Sequence, residues 1–360
     1  MIEDPGSSGH KRSAFLGWWR GLGTTSPRLS LALQGGGAHG AFTWGVLDRL
    51  LEDPRVGFDG LSGSSAGAMN AVVMAQGWMV GGRDGARQSL SDFWSAVGRQ
   101  MPVGMVTQGE GDTITLSPAS KLLAHWAGWF TPSQLNPLAL NPLRDLVQAQ
   151  VDFERLRSNS PFKLFVGATQ VNTGCLRIFR ESELTADMLM ASACLPRIHH
   201  AVEIDGRPYW DGGYSANPAV FPLFYGCESR DVLLVLLSPL AYERTPGSIE
   251  EIEARAAELA FSTHFLREMD WFARATEFAG PTFLVRGRLE RRLRAMRFHM
   301  IDIRSESSLQ RTETKLIAHP PFLELLRDRG RAQAGAWLLE HFESVGRHST
   351  LDIGEAFACH

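Results

Sequence analysis

The chain has 360 residues, a formal net charge of −3 and 44% hydrophobic residues. This length accommodates one large α/β domain with insertions or two domains, and the apolar content is ordinary for a globular protein with a sizeable core. The small net charge gives no indication of nucleic-acid binding, so no nucleic-acid partner is predicted. A reducing compartment without zinc or disulfide sites is predicted, because no C-x-x-C pair occurs among Cys175, Cys194, Cys227 and Cys359.

Residues 1–28 begin polar and rich in Gly and Ser, and are predicted to be disordered. They lack the apolar core and cleavage site of a signal peptide, and no apolar stretch of the chain reaches the roughly twenty residues that span a bilayer. A cytoplasmic location is therefore expected. The apolar residues 15–19 leave two interpretations open: docking on the domain surface, which is favoured, or insertion into a membrane interface as a peripheral contact.

A glycine-rich turn follows the first predicted strand, over residues 29–34, and precedes a predicted helix over 41–51. Its sequence is Gly35-Gly36-Gly37-Ala38-His39-Gly40. Such a turn leaves backbone N–H groups unpaired, and the helix dipole adds partial positive charge there. The turn is either a phosphate cradle of the G-x-G-x-x-G type or an oxyanion hole. The oxyanion hole is favoured, because Asp59 nearly has the spacing of a dinucleotide site but precedes the end of the next strand.

A second turn carries the pattern G-x-S-x-G between an apolar stretch over 58–61 and a predicted helix over 68–76. Its sequence is Gly63-Ser64-Ser65-Ala66-Gly67. In a strand-to-helix turn of this kind the central serine is exposed near a helix N-terminus, and the flanking glycines allow the chain to turn sharply. Ser65 is therefore the candidate nucleophile, since Ser64 does not occupy the central position.

Asp211, Gly212 and Gly213 follow a predicted hairpin that turns at Asp205 and Gly206. The hairpin would place Asp211 at the end of a strand, and the two glycines would let other backbone approach it. Taken alone, Asp-Gly is common turn chemistry, so a simple turn role is favoured for this motif in isolation.

Together and in this order, the three motifs resemble the patatin-like phospholipase family. The resemblance covers residues 29–237 and implies a three-layer α/β/α fold with a mostly parallel central sheet and helical insertions. It implies a Ser-Asp dyad without histidine, in which Ser65 is the nucleophile, Asp211 is the base and the glycine loop supplies oxyanion donors. The implied activity is hydrolysis of acyl esters, commonly phospholipids or other lipid esters, without a cofactor. The chain departs from the family at His39, where an Arg or Lys is usual.

Two other functions are kept as alternatives. A Ser-His-Asp triad on an α/β-hydrolase fold would place its histidine after Asp211, where His264 and His299 are the candidates. His264 falls in a predicted helix and His299 in a predicted strand, so neither has the expected loop context. The second alternative is a lipid-binding or scaffolding protein with a decayed site.

The remaining segments define the predicted organisation. We expect a catalytic domain over 29–240, a mostly helical part over 241–345 packed on it, and a tail over 346–360. The apolar segment 122–130 is predicted to be a lid, an acyl-binding wall or ordinary core. The arginine-rich segment 286–297 is predicted to be a solvated helix face, with anionic lipid as the alternative partner. The identity of the ester and the oligomeric state are left open.

Overall fold

The computed structural model describes residues 27–100, 107–109, 114–118, 120, 131–138, 140–242, 244–279, 287–303 and 312–357. The predictions for residues 1–26, including the segment 15–19, and for the apolar segment 122–130 lie outside these residues. The strands are β1 Arg28–Leu33, β2 Gly57–Gly63, β3 Thr107–Gln108, β4 Thr115–Leu116, β5 Lys163–Gln170, β6 Leu176–Arg180, β7 Val202–Ile204, β8 Arg207–Asp211, β9 Asp231–Val235 and β10 Arg297–Ile301.

The helices lie between and after these strands. They are α1 Gly40–Glu52, α2 Ala66–Arg99, α3 Pro132–Leu135, α4 Pro142–Gln150, α5 Phe153–Asn159, α6 Ala186–Ser192, α7 Phe221–Gly226, α8 Ile249–Phe278, α9 Arg288–Ala295, α10 Pro320–His341 and α11 Ile353–Phe357. Within the described residues, none of these helices has both the length and the apolar character needed to cross a membrane.

A mixed sheet forms the centre of the fold, in the order β10-β9-β1-β2-β5-β8-β7, and β6 also pairs with β5. The strands from β10 to β5 in this order are parallel, whereas β6 and β8 pair antiparallel with β5 and β7 pairs antiparallel with β8. Strands β1 and β9 are buried along nearly their whole length, as parallel strands covered on both faces are. The predicted α/β fold with a mostly parallel sheet is confirmed.

Separate apolar cores cover the two faces of the sheet. Because successive side chains of a strand point to opposite faces, Leu31 packs in the core with α1, α2 and α10, whereas Ala32 packs in the core with α7, α8, α9 and α11. Each fully buried large aliphatic or aromatic side chain in these cores contributes about 1.5–3 kcal/mol. The sheet and its two covering layers hold the strand ends in fixed positions, and the motifs predicted to carry chemistry lie at those ends.

Helix α2 consists of two helical segments, and the first of them contains the predicted helix over 68–76. It continues from Ala66 to Arg99 with a kink at Gly81 and Gly82, where the backbone leaves helical angles and Gly82 has a φ of 61°. Glycine tolerates this conformation without a steric penalty, so the chain bends there between the two segments.

The part of the chain after residue 240 shares the sheet and layers of the part before it. Strand β10 pairs parallel with β9, and Arg297, placed by the sequence in a helix, begins this strand. Helix α10 packs on α1, and Phe357 of α11, in the predicted tail, meets Phe265 of α8 edge to face at 5.6 Å. The division into domains at residue 240 remains a prediction.

Candidate active site

Ser65 occupies the sharp turn between β2 and α2. Its φ of 54° and ψ of −126° are rare for a residue other than glycine. The Ser65 N–H donates to both the carbonyl and the hydroxyl oxygen of Ser192, each at 3.0 Å, which holds the strained turn. A Cβ on Gly63 would lie 2.6 Å from the Gly67 carbonyl carbon, and a Cβ on Gly67 would overlap the backbone of Leu33. The two motif glycines are therefore required by close backbone approach.

Asp211 ends β8 and is completely buried. Its Oδ1 accepts a hydrogen bond of 2.7 Å from the Gly213 N–H, whereas Oδ2 makes no hydrogen bond of ordinary geometry to the described residues. Burial raises the pKa of Asp211 to about 7, although the Gly213 N–H and the nearby Ser65 hydroxyl both lower it. The carboxyl is thus a much stronger base than an exposed aspartate, and its unpaired oxygen is available for a proton.

The glycines after Asp211 allow two neighbouring elements to approach it. A Cβ on Gly212 would overlap the carbonyl of Gly167 in β5, and a Cβ on Gly213 would overlap the ring of Phe261 in α8. The Asp-Gly-Gly motif therefore lies in a packed interior, not in the exposed turn that is usual for Asp-Gly.

The glycine loop after β1 supplies fewer free donors than the sequence predicts. The Gly35 N–H donates to Asn217 Oδ1 at 2.7 Å, and the Gly40 N–H bonds to the carbonyls of Ala38 and Gly37, so Gly35 and Gly40 are corrected as oxyanion donors. Gly40 instead lets α1 pack closely on α2, because a Cβ there would lie 2.6 Å from Ala66 Cβ.

The donor candidates in the loop are Gly36 and Gly37. No described group accepts a hydrogen bond from either N–H, and both residues line the same cavity as Ser65. Ala38 is buried and does not line this cavity, and its role in binding stays a prediction. Gly37 has a φ of 59°, and a Cβ on it would overlap the carbonyl of Lys315. The backbone at Lys315 thus packs directly against the glycine loop at Gly37.

A cavity of about 320 Å³ contains Ser65 and Asp211. Much of its wall is apolar, from Leu195, Pro196, Ile198, Tyr214, Phe261 and Leu316. This volume is at the lower end of the range for small-molecule sites, and apolar walls around a few polar groups are typical of such sites. The cavity therefore suits an apolar chain whose reactive group reaches the polar floor.

Comparison with known proteins agrees with the arrangement of the motifs. The family model described as patatin-like phospholipase matches residues 31–224, which is more than half of the chain. The chain belongs to the patatin-like phospholipase family.

A comparison with curated protein sequences gave no match. Among solved structures, the chain is similar to the crystal structure of VipD from Legionella pneumophila, with 16% identity and a TM-score of 0.43 over 88% of this chain and 67% of that one. The family supports lipid acyl hydrolysis as the general activity.

His39, which stands where other patatin-like proteins usually have a basic residue, does not supply a positive charge. The ring is fully buried, and its Nε2 lies 2.8 Å from the Thr314 hydroxyl. Burial, together with the charge of Lys315, lowers the pKa of His39 to about 3, so the ring is neutral at physiological pH. His39 therefore links the glycine loop to Thr314 and adds no positive charge to the loop.

Neither histidine of the triad alternative lines the cavity of this patatin-like site. His264 is exposed on α8, and His299 is buried in β10, where it bonds to Asp231 at 3.2 Å and to Thr350 at 2.9 Å. The carboxylate partner of His299 is therefore Asp231 and not Asp211. Asp59, the acidic residue of the dinucleotide alternative, is buried and accepts a hydrogen bond from the Ser229 N–H at 2.7 Å. Its carboxylate is therefore not available to bind a ribose.

His264→Ala is expected to retain at least half of the wild-type turnover, because the exposed ring has no contact with Ser65 or Asp211. The measurement is the rate of ester hydrolysis at saturating substrate, with Arg267→Ala on the same helix as the control for a nearby surface change. Loss of turnover in His264→Ala alone would restore the triad alternative.

The arginine-rich segment lies far from this patatin-like site. Arg230, Arg288, Arg291 and Arg292 line a separate open cleft of about 650 Å³. The cleft lies at the amino-terminal ends of β9 and β10, whereas the Ser65 turn and the glycine loop lie at the carboxyl-terminal ends of β2 and β1. Arg292 donates to the carbonyls of Cys227 and Ser229 at 2.6 and 3.0 Å, so part of its charge is used within the fold.

Proposed function

We propose that the chain is a serine acyl-ester hydrolase acting on lipid esters, with phospholipase A or lysophospholipase activity, through a Ser65-Asp211 dyad. The observation that carries the proposal is the position of the buried Asp211 beside the strained Ser65, in one cavity with apolar walls, where Asp211 Oδ2 has no partner other than Ser65 among the described residues. A pKa near 7 suits a general base that operates at neutral pH, because the carboxylate is present and still accepts a proton readily.

In the first step, Ser65 Oγ attacks the ester carbonyl carbon while its proton passes to Asp211. The developing oxyanion receives hydrogen bonds from the Gly36 and Gly37 N–H groups, and each such donor in hydrolases contributes about a hundred- to a thousand-fold to the rate. When the ester C–O bond breaks, the leaving alcohol takes the proton from Asp211. An acyl-enzyme on Ser65 remains.

In the second step, Asp211 accepts a proton from water as the water oxygen attacks the acyl carbonyl. The same backbone donors stabilise the second oxyanion. The bond to Ser65 Oγ then breaks, Asp211 returns the proton to that oxygen, and the fatty acid leaves. Apart from the substrate and one water molecule, both steps use only side chains and backbone groups of this chain.

We also propose that the protein is cytoplasmic and contacts a lipid surface peripherally. Ile198 and Leu316 line the cavity and are 46% and 53% exposed. An exposed apolar rim around a cavity of this kind favours entry of an acyl chain directly from a lipid aggregate. Contact at this rim would bring Ser65 to the lipid, whereas contact through the arginine cleft would not.

A fluorophosphonate probe tests whether the serine is activated. We expect one covalent adduct per chain, mapped to Ser65 by peptide mass spectrometry, because only an activated hydroxyl attacks phosphorus at a useful rate. Ser64 is an internal control, since its buried hydroxyl donates to the Ala216 carbonyl at 2.7 Å. Heat-denatured protein should not react. Absence of an adduct on folded protein would favour the alternative of a lipid-binding protein with a decayed site.

A further inference from the structure

The cavity around Ser65 has a charged end formed by α8 and residues 312–316. Lys315 Nζ donates to Ser238 Oγ at 3.2 Å and lies 3.9 Å from Glu258 Oε1, and all three residues line the cavity. The carboxylate of Glu258 also accepts hydrogen bonds from the Tyr242 hydroxyl at 2.6 Å and from Arg255 at 3.2 Å. Glu258 therefore has close partners other than Lys315.

Lys315 itself is less completely paired. An ammonium group has three donors, and among the described residues Ser238 is its one acceptor within hydrogen-bond distance. The side chain is only 21% exposed, and burial lowers the pKa of Lys315, although Glu258 raises it. A cation with little water and an incomplete set of acceptors favours an incoming anion, and lysine is a common ligand of phosphate.

The position of Lys315 compensates for the neutral His39. Its carbonyl lies against Gly37 in the glycine loop, and its charge acts on the His39 ring. The site thus receives a positive charge from residues 312–316 instead of from the loop. Burial, Gly213 and Ser65 set the pKa of Asp211, so Lys315 is not required for tuning the base.

We propose that Lys315 is the anion-recognition residue of the cavity and binds a phosphate group next to the scissile ester. The substrates are then acyl esters of glycerophosphates, in preference to neutral acylglycerols. This inference rests on the proposed acyl hydrolase function. Arg197, the other basic residue among the described residues of the lining, is exposed, so it is less suited to bind a buried phosphate.

The test compares 1-oleoyl-lysophosphatidylglycerol with 1-monooleoylglycerol in micelles of a neutral detergent. Both carry the same acyl chain, and only the first has a phosphodiester. We expect wild type to favour the lysophospholipid in kcat/KM. Lys315→Met should lose about ten- to a hundred-fold on the lysophospholipid, mainly in KM, and less than about three-fold on monooleoylglycerol, because a charge-assisted hydrogen bond is lost only with the first. Lys315→Arg should retain most of the preference.

Lys163→Met is the matched control. Lys163 is the other lysine among the described residues, begins β5 and lies 3.9 Å from Asp59, outside the cavity. The Lys163→Met variant changes the net charge by the same amount as Lys315→Met. It therefore measures any effect of protein charge on micelle binding. We expect the ratio of the two kcat/KM values to stay at the wild-type level in this variant.

Inorganic phosphate distinguishes a free anion from a lipid headgroup. Competitive inhibition of monooleoylglycerol hydrolysis that is lost in Lys315→Met would support a site for phosphate itself. No inhibition, with the lysophospholipid preference intact, would support recognition of phosphate only when it is attached to the lipid.

Two results would overturn the inference: no wild-type preference for the phosphodiester, or an equal loss on both substrates in Lys315→Met, which would mean that Lys315 only supports the loop. Fluorophosphonate labelling separates these results from failure of the proposed function. If Ser65 is labelled in wild type and in Lys315→Met at similar rates, the dyad is intact and only the recognition is tested. If wild type is neither labelled nor active, the proposed function fails.

Discussion

Asp211→Asn is expected to reduce acyl-ester hydrolysis by about 10³- to 10⁴-fold, because the amide cannot accept the Ser65 proton. The variant keeps the shape of the side chain and an oxygen that can accept the Gly213 N–H. Turnover is measured with a saturating soluble ester. Wild-type activity should rise with pH, with a midpoint near the pKa of about 7, as Asp211 becomes ionised. Turnover near the wild-type level in folded Asp211→Asn would contradict the dyad.

The same substitution is expected to stabilise the fold above pH 7. The pKa of Asp211 is raised from 3.8 to about 7 on folding, so its contribution to stability is complete below pH 3.8 and is lost as the pH rises through 7. The shift corresponds to at most about 4 kcal/mol. Asparagine never ionises, so the free energy of unfolding of the variant should exceed that of wild type at pH 8.5 and approach it at pH 4.5, as measured by urea denaturation.

Ser65→Ala is the control that separates catalysis from stability. It should lose turnover as severely as Asp211→Asn, but it retains the ionisable carboxyl and should not show the same gain in stability at high pH. A gain of equal size in both variants would mean that loss of the Ser65–Asp211 interaction, not ionisation of Asp211, is responsible.

Asp231→Ala is expected to destabilise the fold by about 3–5 kcal/mol, because it leaves buried basic groups without their partner. The Asp231 carboxylate accepts two hydrogen bonds of 2.8 Å from Arg297, one of 3.2 Å from His299 and one of 2.8 Å from the Gly346 N–H. Burial opposes its ionisation, but these partners more than offset burial and hold the pKa of Asp231 well below its usual range. Urea denaturation at pH 7 measures the loss.

Glu343→Ala removes an exposed carboxylate that lies 3.8 Å from Arg347 and is the control for the Asp231 variant. An exposed pair of this kind contributes about 0–1 kcal/mol, so little change in stability is expected. Protein that remains folded in Asp231→Ala should keep its turnover, since Asp231 lies at the amino-terminal end of β9, whereas Ser65 follows the carboxyl-terminal end of β2. If turnover disappears without loss of stability, the His299–Asp231 pair has a catalytic role, in conflict with the proposed dyad.

The three motifs were predictable because each depends on neighbouring residues. The glycines around Ser65 and after Asp211 encode turns whose shape depends on the few residues within them, and the apolar strands beside them mark where the turns occur. The apolar sequence of β9 is likewise a local signal, because a buried parallel strand is apolar along its length. In these regions local sequence and final structure agree.

Other parts of the site depend on contacts between residues that are distant in the sequence. Asn217 accepts a hydrogen bond from the Gly35 N–H, although the two residues are 182 positions apart in the sequence. His39 is hydrogen-bonded to Thr314, which is 275 positions away. No local pattern marks Asn217 or Lys315 as part of the site, and the neutrality of His39 results from burial that the sequence does not display.

The contact of residues 312–316 with the glycine loop affects where the protein can be divided. The matched family segment ends at residue 224, yet Gly37 rests against Lys315, His39 bonds to Thr314, and Phe261 packs against Gly213. A recombinant fragment that stops near residue 240 would contain every motif residue but would lack one wall of the cavity and the support of its donor loop. Expression trials and chimeric exchanges should therefore keep the carboxyl-terminal helices with the motif-bearing part.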